Sequence, residues 1–386
     1  MPDGNNSPDN RISRRDFLKK SVKTTAKVAG TIGVIGGGAK LIESLISPDD
    51  STSSELTFGD QKIHAEIGNS ESLNLTGLQW FPDGHSPFIK NEDGVKVWLA
   101  GGPQGYMFTG RDLNHLDEKA TEVIGPSGEG FDRDYAAPGS VLPGKNDGEL
   151  LMFYHGENHP YAPNFFPFGA GIGLAVSTDG GFTWERKGQI IQGKNDKQME
   201  TRPYGAGQPS VLVKDGHLHI YYIDWNGQDP DSIHLARAPI DSDGMPGAWK
   251  KYNNGDFSED GLGGQSSPVI LPSEGGDYSA LPGVSFNSFL NKYMSVFESK
   301  DGFYMTTSVD GIEWLPSQKL LGVQTANTGP EIGDTWNSNP TLWSPNKSND
   351  RETDANMLLV YSQGKWQQKP HSMKTRTIQL SKAQQT

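Results

Sequence analysis

The chain has 386 residues and no cysteine, which excludes disulfides, thiolate metal centres, a cysteine nucleophile and a lipid anchor on cysteine. Its formal net charge of −13 disfavours nucleic-acid phosphates and leaves neutral or cationic ligands as partners. Gly 48 and Pro 25 together make about a fifth of the residues and aromatics 10%, a balance that suits many short strands joined by turns and not long amphipathic helices.

In chain order the first feature is an address. Residues 13–19 read "SRRDFLK", and the mildly apolar run that follows is interrupted by Lys23, Lys27 and Lys40, so it falls short of the roughly 20 apolar residues of a membrane span. Through Ser13, Arg14, Arg15, Phe17, Leu18 and Lys19 the segment resembles a twin-arginine (Tat) export signal. That resemblance implies the Tat machinery as a partner, a periplasmic or extracellular location, and membrane contact through this segment alone. A basic amphipathic helix lying on a membrane is the alternative. The chain then divides into the signal segment 1–46, a disordered spacer 47–74 suggested by "SPDDSTSSELTFGD", and a folded body 75–382.

Within that body, five X-Pro steps each open a short apolar stretch: "HSPFI" from residue 85, "AAPGSV" from 136, "GQPSVL" from 207, "SSPVIL" from 266 and "SNPTLW" from 338. Each is followed by a polar turn and a second run rich in aromatic and β-branched residues: "VKVWLAGG", "ELLMFYHGE", "HLHIYYIDW", "KYMSVFES" and "MLLVYSQG". Third runs include "GIGLAVS", "SIHLARA" and "GFYMTTS". Successive prolines are 51, 71, 59 and 72 residues apart, enough for a four-stranded sheet with its loops. The expected fold is therefore all-β, a five-bladed β-propeller of four-stranded antiparallel blades, with each Pro at a strand start where its missing N–H costs nothing.

"STDGGFTW" fits the Asp-box pattern through Ser177, Asp179, Gly181 and Trp184, and "SVDGIEW" repeats it one residue shorter through Ser308, Asp310, Gly311 and Trp314. "DSDGMPGAW" from residue 241 and "TGRDLNHL" from residue 109 are looser versions. Asp and Gly suit the tight turn between third and fourth strands while Trp packs beneath it, so these boxes are expected to be structural.

The chemistry belongs at one mouth of the channel, where innermost strands begin and second strands end. Ahead of the innermost strands stand Asp83 and His85; Asp132, Asp134 and Tyr135; Glu200, Arg202, Tyr204 and Gln208; Gln265; and Asp334, Trp336, Asn337 and Asn339. At the ends of second strands stand His155, Glu157 and His159, Asp224 and Trp225, and Glu298. Two carboxylates facing each other across a sugar are what glycosidic cleavage needs. We expect Asp83 or Asp134 as base or nucleophile, and Glu157 or Asp224 as general acid with its pKa raised by burial and neighbouring acids. His85, His155, Arg202, Gln208, Gln265 and Glu298 are the polar contacts expected for substrate, with Trp225 and Trp336 stacking on sugar faces. No cofactor is called for, and "HGENH" lacks the helical HExxH spacing of catalytic zinc; a Ca2+ in the channel is the one metal the reading admits.

Over roughly residues 75–380 the repeat pattern resembles the five-bladed propeller glycoside hydrolases, the arabinanase/xylosidase and levanase/invertase group. The resemblance implies hydrolysis of furanosides in a poly- or oligosaccharide, with one Asp on the first blade's inner strand, one on the second's and a Glu on the third's. Asp83 and Asp134 match the first two, four residues before their prolines. At the third, where the group has Glu-Gly-Pro, this chain has Gly207 and Gln208 before Pro209, so the acid is expected from Glu157 or Asp224, or from Glu200 if its loop folds inward. The Asp boxes also resemble those of sialidases, which use an arginine cluster with a Tyr/Glu pair; Arg202 and Arg133 are the arginines available. A non-catalytic carbohydrate-binding propeller is the reading from another class.

Overall fold

The computed structural model describes residues 49–382 apart from 74, 76–77, 79–81, 161–166, 195–201, 226–229, 277, 300, 326–330, 366–367 and 369–370. The signal segment and Glu200 therefore lie outside the described residues.

Nearly all of the regular structure is strand, arranged as five consecutive antiparallel meanders. The first blade holds Phe88–Asn91, Gly94–Ala100 and Gly105–Asp112, the last paired to His115–Leu116 and Thr121–Ile124. The second holds Tyr135–Pro143, Leu150–Asn158, Gly169–Ser177 and Glu185–Gln192. The third runs through Tyr204–Lys214, His217–Trp225, Ser232–Pro239 and Lys250–Asn253, and the fourth through Ser279–Asn287, Lys292–Ser299, Gly302–Ser308 and Gln318–Gly322. The fifth is built from Thr335–Trp343, Asn356–Lys365 and Ser372–Lys382.

Innermost strands of successive blades touch, and the apolar clusters lie between neighbouring blades, as a radial arrangement requires. The second and third blades approach so closely that Gly169 and Ala170 pair in parallel with Tyr204 and Gly205. Only glycine fits at 205: φ is +96° and a Cβ would stand 2.2 Å from the Ala170 carbonyl oxygen. Between the fifth and first blades the ring closes through polar bonds. His85 Nε2 lies 2.7 Å from Asp350, the Phe88 N–H donates to the same carboxylate, and Trp343 Nε1 donates to the Ser86 carbonyl.

Three expectations are corrected. The expected spacer 47–74 is strand-forming within its described residues: Thr52–Phe58 pairs with Gln61–Ile67, which pairs with Ser372–Lys382, and Glu71–Leu73 pairs with that strand too. Pro87 directly precedes the strand Phe88–Asn91 and Pro268 opens Pro268–Ile270, but the other three expected prolines do not open their strands. Pro138, Pro209, Pro282 and Pro340 sit within innermost strands where register shifts, and Gln208, Leu281 and Asn339, each just before a Pro, have φ of 56°, 59° and 59°. Pro209, Pro282 and Pro340 are unpaired bulge residues, so their missing donor is harmless, while beside Pro138 it is Gly139 that is skipped. Lastly, "SSPVIL" does not begin the fourth blade: Pro268–Ile270 pairs with Ile233 and His234 of the third, and the fourth starts at Ser279 with "ALPG". Gln265 is thereby an exposed loop residue whose N–H donates to Glu259.

At the turn after Gly169–Ser177, Asp179 accepts the Phe182 and Thr183 N–H groups, Ser177 Oγ donates to Asp179, and Trp184 Nε1 donates to the Gly181 carbonyl. The Trp184 ring meets Trp98 of the first blade edge-on. These bonds consume the turn's polar groups and join two blades.

Candidate active site

The second strand of the second blade ends in "HGEN", and alternation puts His155 and Glu157 on one face. Glu157 is buried, 6% exposed, and holds an imidazole on each carboxylate oxygen: His155 Nε2 at 2.8 Å and His159 Nε2 at 2.7 Å. Burial pushes its pKa up, but these two hydrogen bonds and the charge of the rings outweigh burial, and the net direction is downward. This corrects the expectation that Glu157 is a carboxyl of raised pKa. The three side chains hold one another, and among the described residues no group of three or more His, Asp or Glu side chains is arranged to hold a metal ion such as the channel Ca2+.

Around this array stand Tyr135, Phe168 and Trp225, each with its ring 5.7 to 6.4 Å from that of His155. Gly207 completes the enclosure. A Cβ there would lie 2.5 Å from His155 Nδ1 and 2.6 Å from the Trp225 ring, so His155 fills the space into which a third-blade carboxylate would project.

Asp83 also lies close to Tyr135. It is half-buried, its backbone carbonyl is 3.5 Å from the Tyr135 hydroxyl, and burial, then the charges of Asp83 and Glu157, raise the Tyr135 pKa. One phenol thus feels both carboxylates. Residues on either side of Asp83 are fixed from across the ring: Asn339 Nδ2 donates 2.7 Å to the Pro82 carbonyl, and Gln208 packs onto Gly84, where a Cβ would stand 2.5 Å from its Oε1. The two positive-φ residues therefore aim their side chains at the Asp83 turn, a strained geometry of the kind that gathers at functional sites.

The other expected residues fall elsewhere. The carboxylate of Asp134 accepts the His159 N–H at 2.7 Å and the Arg133 guanidinium at 2.9 Å, while Arg133 also donates to the His159 carbonyl, so the pair clamps the His159 backbone. Asp132 is buried against Arg186 and Tyr154. Asp224 is fully buried, taking the Lys194 N–H and the Ser266 hydroxyl; burial raises its pKa as expected, but no face of it is open to a substrate. His85 is spent on Asp350 and Arg202 is ion-paired to Asp231 at 2.7 Å. Glu298 is buried on the fourth blade, accepting Tyr278 Oη at 2.5 Å and Ser338 Oγ at 2.7 Å, and Trp336 is buried with its ring 6.2 Å from that of His371. Phe168, Tyr278 and Asp350 were not singled out from sequence; no periodic signal marks them, because each acts through a partner more than 10 residues distant.

No protein-family model matches the chain, and no curated protein matches it. Among solved structures it is similar to Zg3597, a family 117 glycoside hydrolase of the marine bacterium Zobellia galactanivorans, with TM-score 0.52 and 13% identity over 86% of this chain and 90% of that one. It is also similar to a GH43_1 enzyme from Xanthomonas citri, with TM-score 0.50 and 13% identity over 80% of this chain and 89% of that one. At such identity the likeness is one of fold, and it agrees with the propeller architecture.

Proposed function

We propose that the chain is a glycoside hydrolase, exported through the Tat pathway, that cleaves a neutral poly- or oligosaccharide in the manner of a furanosidase. The observation that carries the reading is that Tyr135 lies close both to Asp83 and to the His155–Glu157–His159 array and feels both carboxylates. The fold likeness to two glycoside hydrolases supports it. Asp83, half-buried, takes the part of base or nucleophile. The array takes the part of proton donor: the ionised Glu157 fixes both imidazoles, and a proton delivered to the leaving oxygen comes from a ring nitrogen, not from a neutral Glu157. The Trp225 indole, half-buried at the strand end, offers a face to the sugar.

A sialidase-like reading loses support because Arg202 is paired with Asp231 and Arg133 with Asp134. A non-catalytic carbohydrate-binding propeller draws on the absent third-blade carboxylate. The test is release of reducing sugar from a panel of neutral polysaccharides and aryl glycosides by the native chain, Asp83→Asn and Glu157→Gln. Turnover by the native chain that falls at least about 100-fold in both variants is expected, the scale of losing an acid or base. Turnover unchanged in Asp83→Asn removes it from the mechanism, and saturable glycan binding with no turnover moves the assignment to a binding module.

A further inference from the structure

At the end of the third blade away from the mouth, the turn joining Tyr204–Lys214 to His217–Trp225 gathers Lys214, His217, His219 and Arg237. His219 and Arg237 are partners across the strand pair, on the face whose next residues, Tyr221 and Leu235, pack against Val284 and Phe297 of the fourth blade. Both therefore point into the groove between these blades. The Arg237 guanidinium lies 4.1 Å over the Phe257 ring, which His219 meets edge-on at 6.0 Å.

Two features are open to a ligand. Among the described residues the half-buried Arg237 guanidinium has neither ion pair nor hydrogen bond, in a chain of net charge −13. His219 is 3% exposed and its Nδ1 has no hydrogen-bond partner, a deficit that costs about 1 to 3 kcal/mol unless something meets it. Burial, followed by the charges of Lys214, His217 and Arg237, outweighs a weak approach to the His217 backbone and lowers the His219 pKa to about 4, so at neutral pH the ring is uncharged and carries one N–H. The acids nearby are already engaged. Asp215 pairs with Lys214, Asp310 accepts the N–H groups of its own turn, and Asp256 accepts the Phe257 N–H.

We propose that this groove binds a tetrahedral oxyanion, sulfate or phosphate, free or as an ester on a larger ligand. The Arg237 fork takes two oxygens, His219 donates from the buried side, and His217 and Lys214 close the rim; planar forks suit such anions. This site is independent of the proposed hydrolysis.

The test titrates the full chain with inorganic sulfate, inorganic phosphate and methyl phosphate at constant ionic strength held by chloride, following melting temperature and the histidine ring 15N resonances. A saturable rise in melting temperature with movement of the His219 ring signals is expected. Arg237→Gln should weaken the apparent affinity about 10- to 100-fold. Methyl phosphate binding as well as phosphate identifies an ester site, and phosphate or sulfate alone a free-ion site. The absence of a saturable shift at millimolar anion, or equal affinity in Arg237→Gln, overturns the proposal. If that variant does not fold, Arg237→Lys and His217→Gln are measured instead, and unchanged affinity in both overturns it equally.

Discussion

Asp224 and Glu157 occupy equivalent ends of second strands in adjacent blades, yet their carboxyls shift in opposite directions. Glu157 gains two imidazole donors that outweigh burial; at Asp224 burial outweighs the Lys194 N–H, the Lys251 charge and the Ser266 hydroxyl. The sign of each effect on stability follows. The lowered Glu157 pKa contributes stability in full above the ordinary glutamate value of about 4.3, lost only as pH falls through the folded value. The raised Asp224 pKa works the other way: as pH climbs past the unfolded value of about 3.9, the unfolded chain releases a proton that the folded chain retains, and stability declines until the folded value is passed. Asp224→Asn removes that term while keeping an oxygen acceptor. Its stability relative to the native chain should therefore improve between pH 4 and pH 7, as read by urea unfolding at both, with glycosidase turnover retained. A difference that does not change with pH would show Asp224 ionised in the fold, and lost turnover would return it to the catalytic set.

At the scale of the strand, the sequence made the repeat visible but misplaced its punctuation. Second and third strands were readable because aromatic and β-branched runs of about eight residues alternate between two buried faces. The X-Pro steps were equally visible, but a bulge and a strand start present the same local signal, proline without a pairing obligation. That ambiguity put "SSPVIL" in place of "ALPG". The acids at strand ends were legible by position; their roles were not, because Asp134, Asp224 and His85 are decided by His159, Ser266 and Asp350, which only the fold brings near. Gly207 illustrates the limit. In sequence it is a missing carboxylate, while in the structure it is the space occupied by His155 and Trp225. Gly207→Ala should force both rings aside, lower stability by about 1 to 3 kcal/mol through overpacking and reduce turnover more than substrate affinity. Unaltered kcat in a folded Gly207→Ala chain would mean that His155 need not be where it is.

For the whole molecule, the decisive feature is how the ring of blades ends. The fifth blade supplies three strands of its own and takes its outer strands from the opposite end of the sequence, Gln61–Ile67 beside Ser372–Lys382 and Thr52–Phe58 beyond. Leu56, Phe58, Ile63 and Ile67 are each 1% exposed and share a cluster with Met294, Val296 and Leu320 of the fourth blade and Leu359 and Ile378 of the fifth. The buried Arg376 adds a polar fastening, donating 2.8 Å to the carbonyls of Asp50 and Gly68 and also to the Tyr361 hydroxyl. At about 1.5 to 3 kcal/mol per buried side chain, those four residues alone supply roughly 6 to 12 kcal/mol, the size of a domain's entire net stability. A chain of residues 75–382, the folded body expected from sequence, should therefore melt far lower than residues 49–382 or fail to fold. Adding a peptide of residues 49–73 should restore part of the loss, since the missing strands pair at an open edge. Thermal melting of the two chains, with and without the peptide, decides the matter: equal melting temperatures would show that the amino-terminal strands ride on a ring already closed by its first and fifth blades.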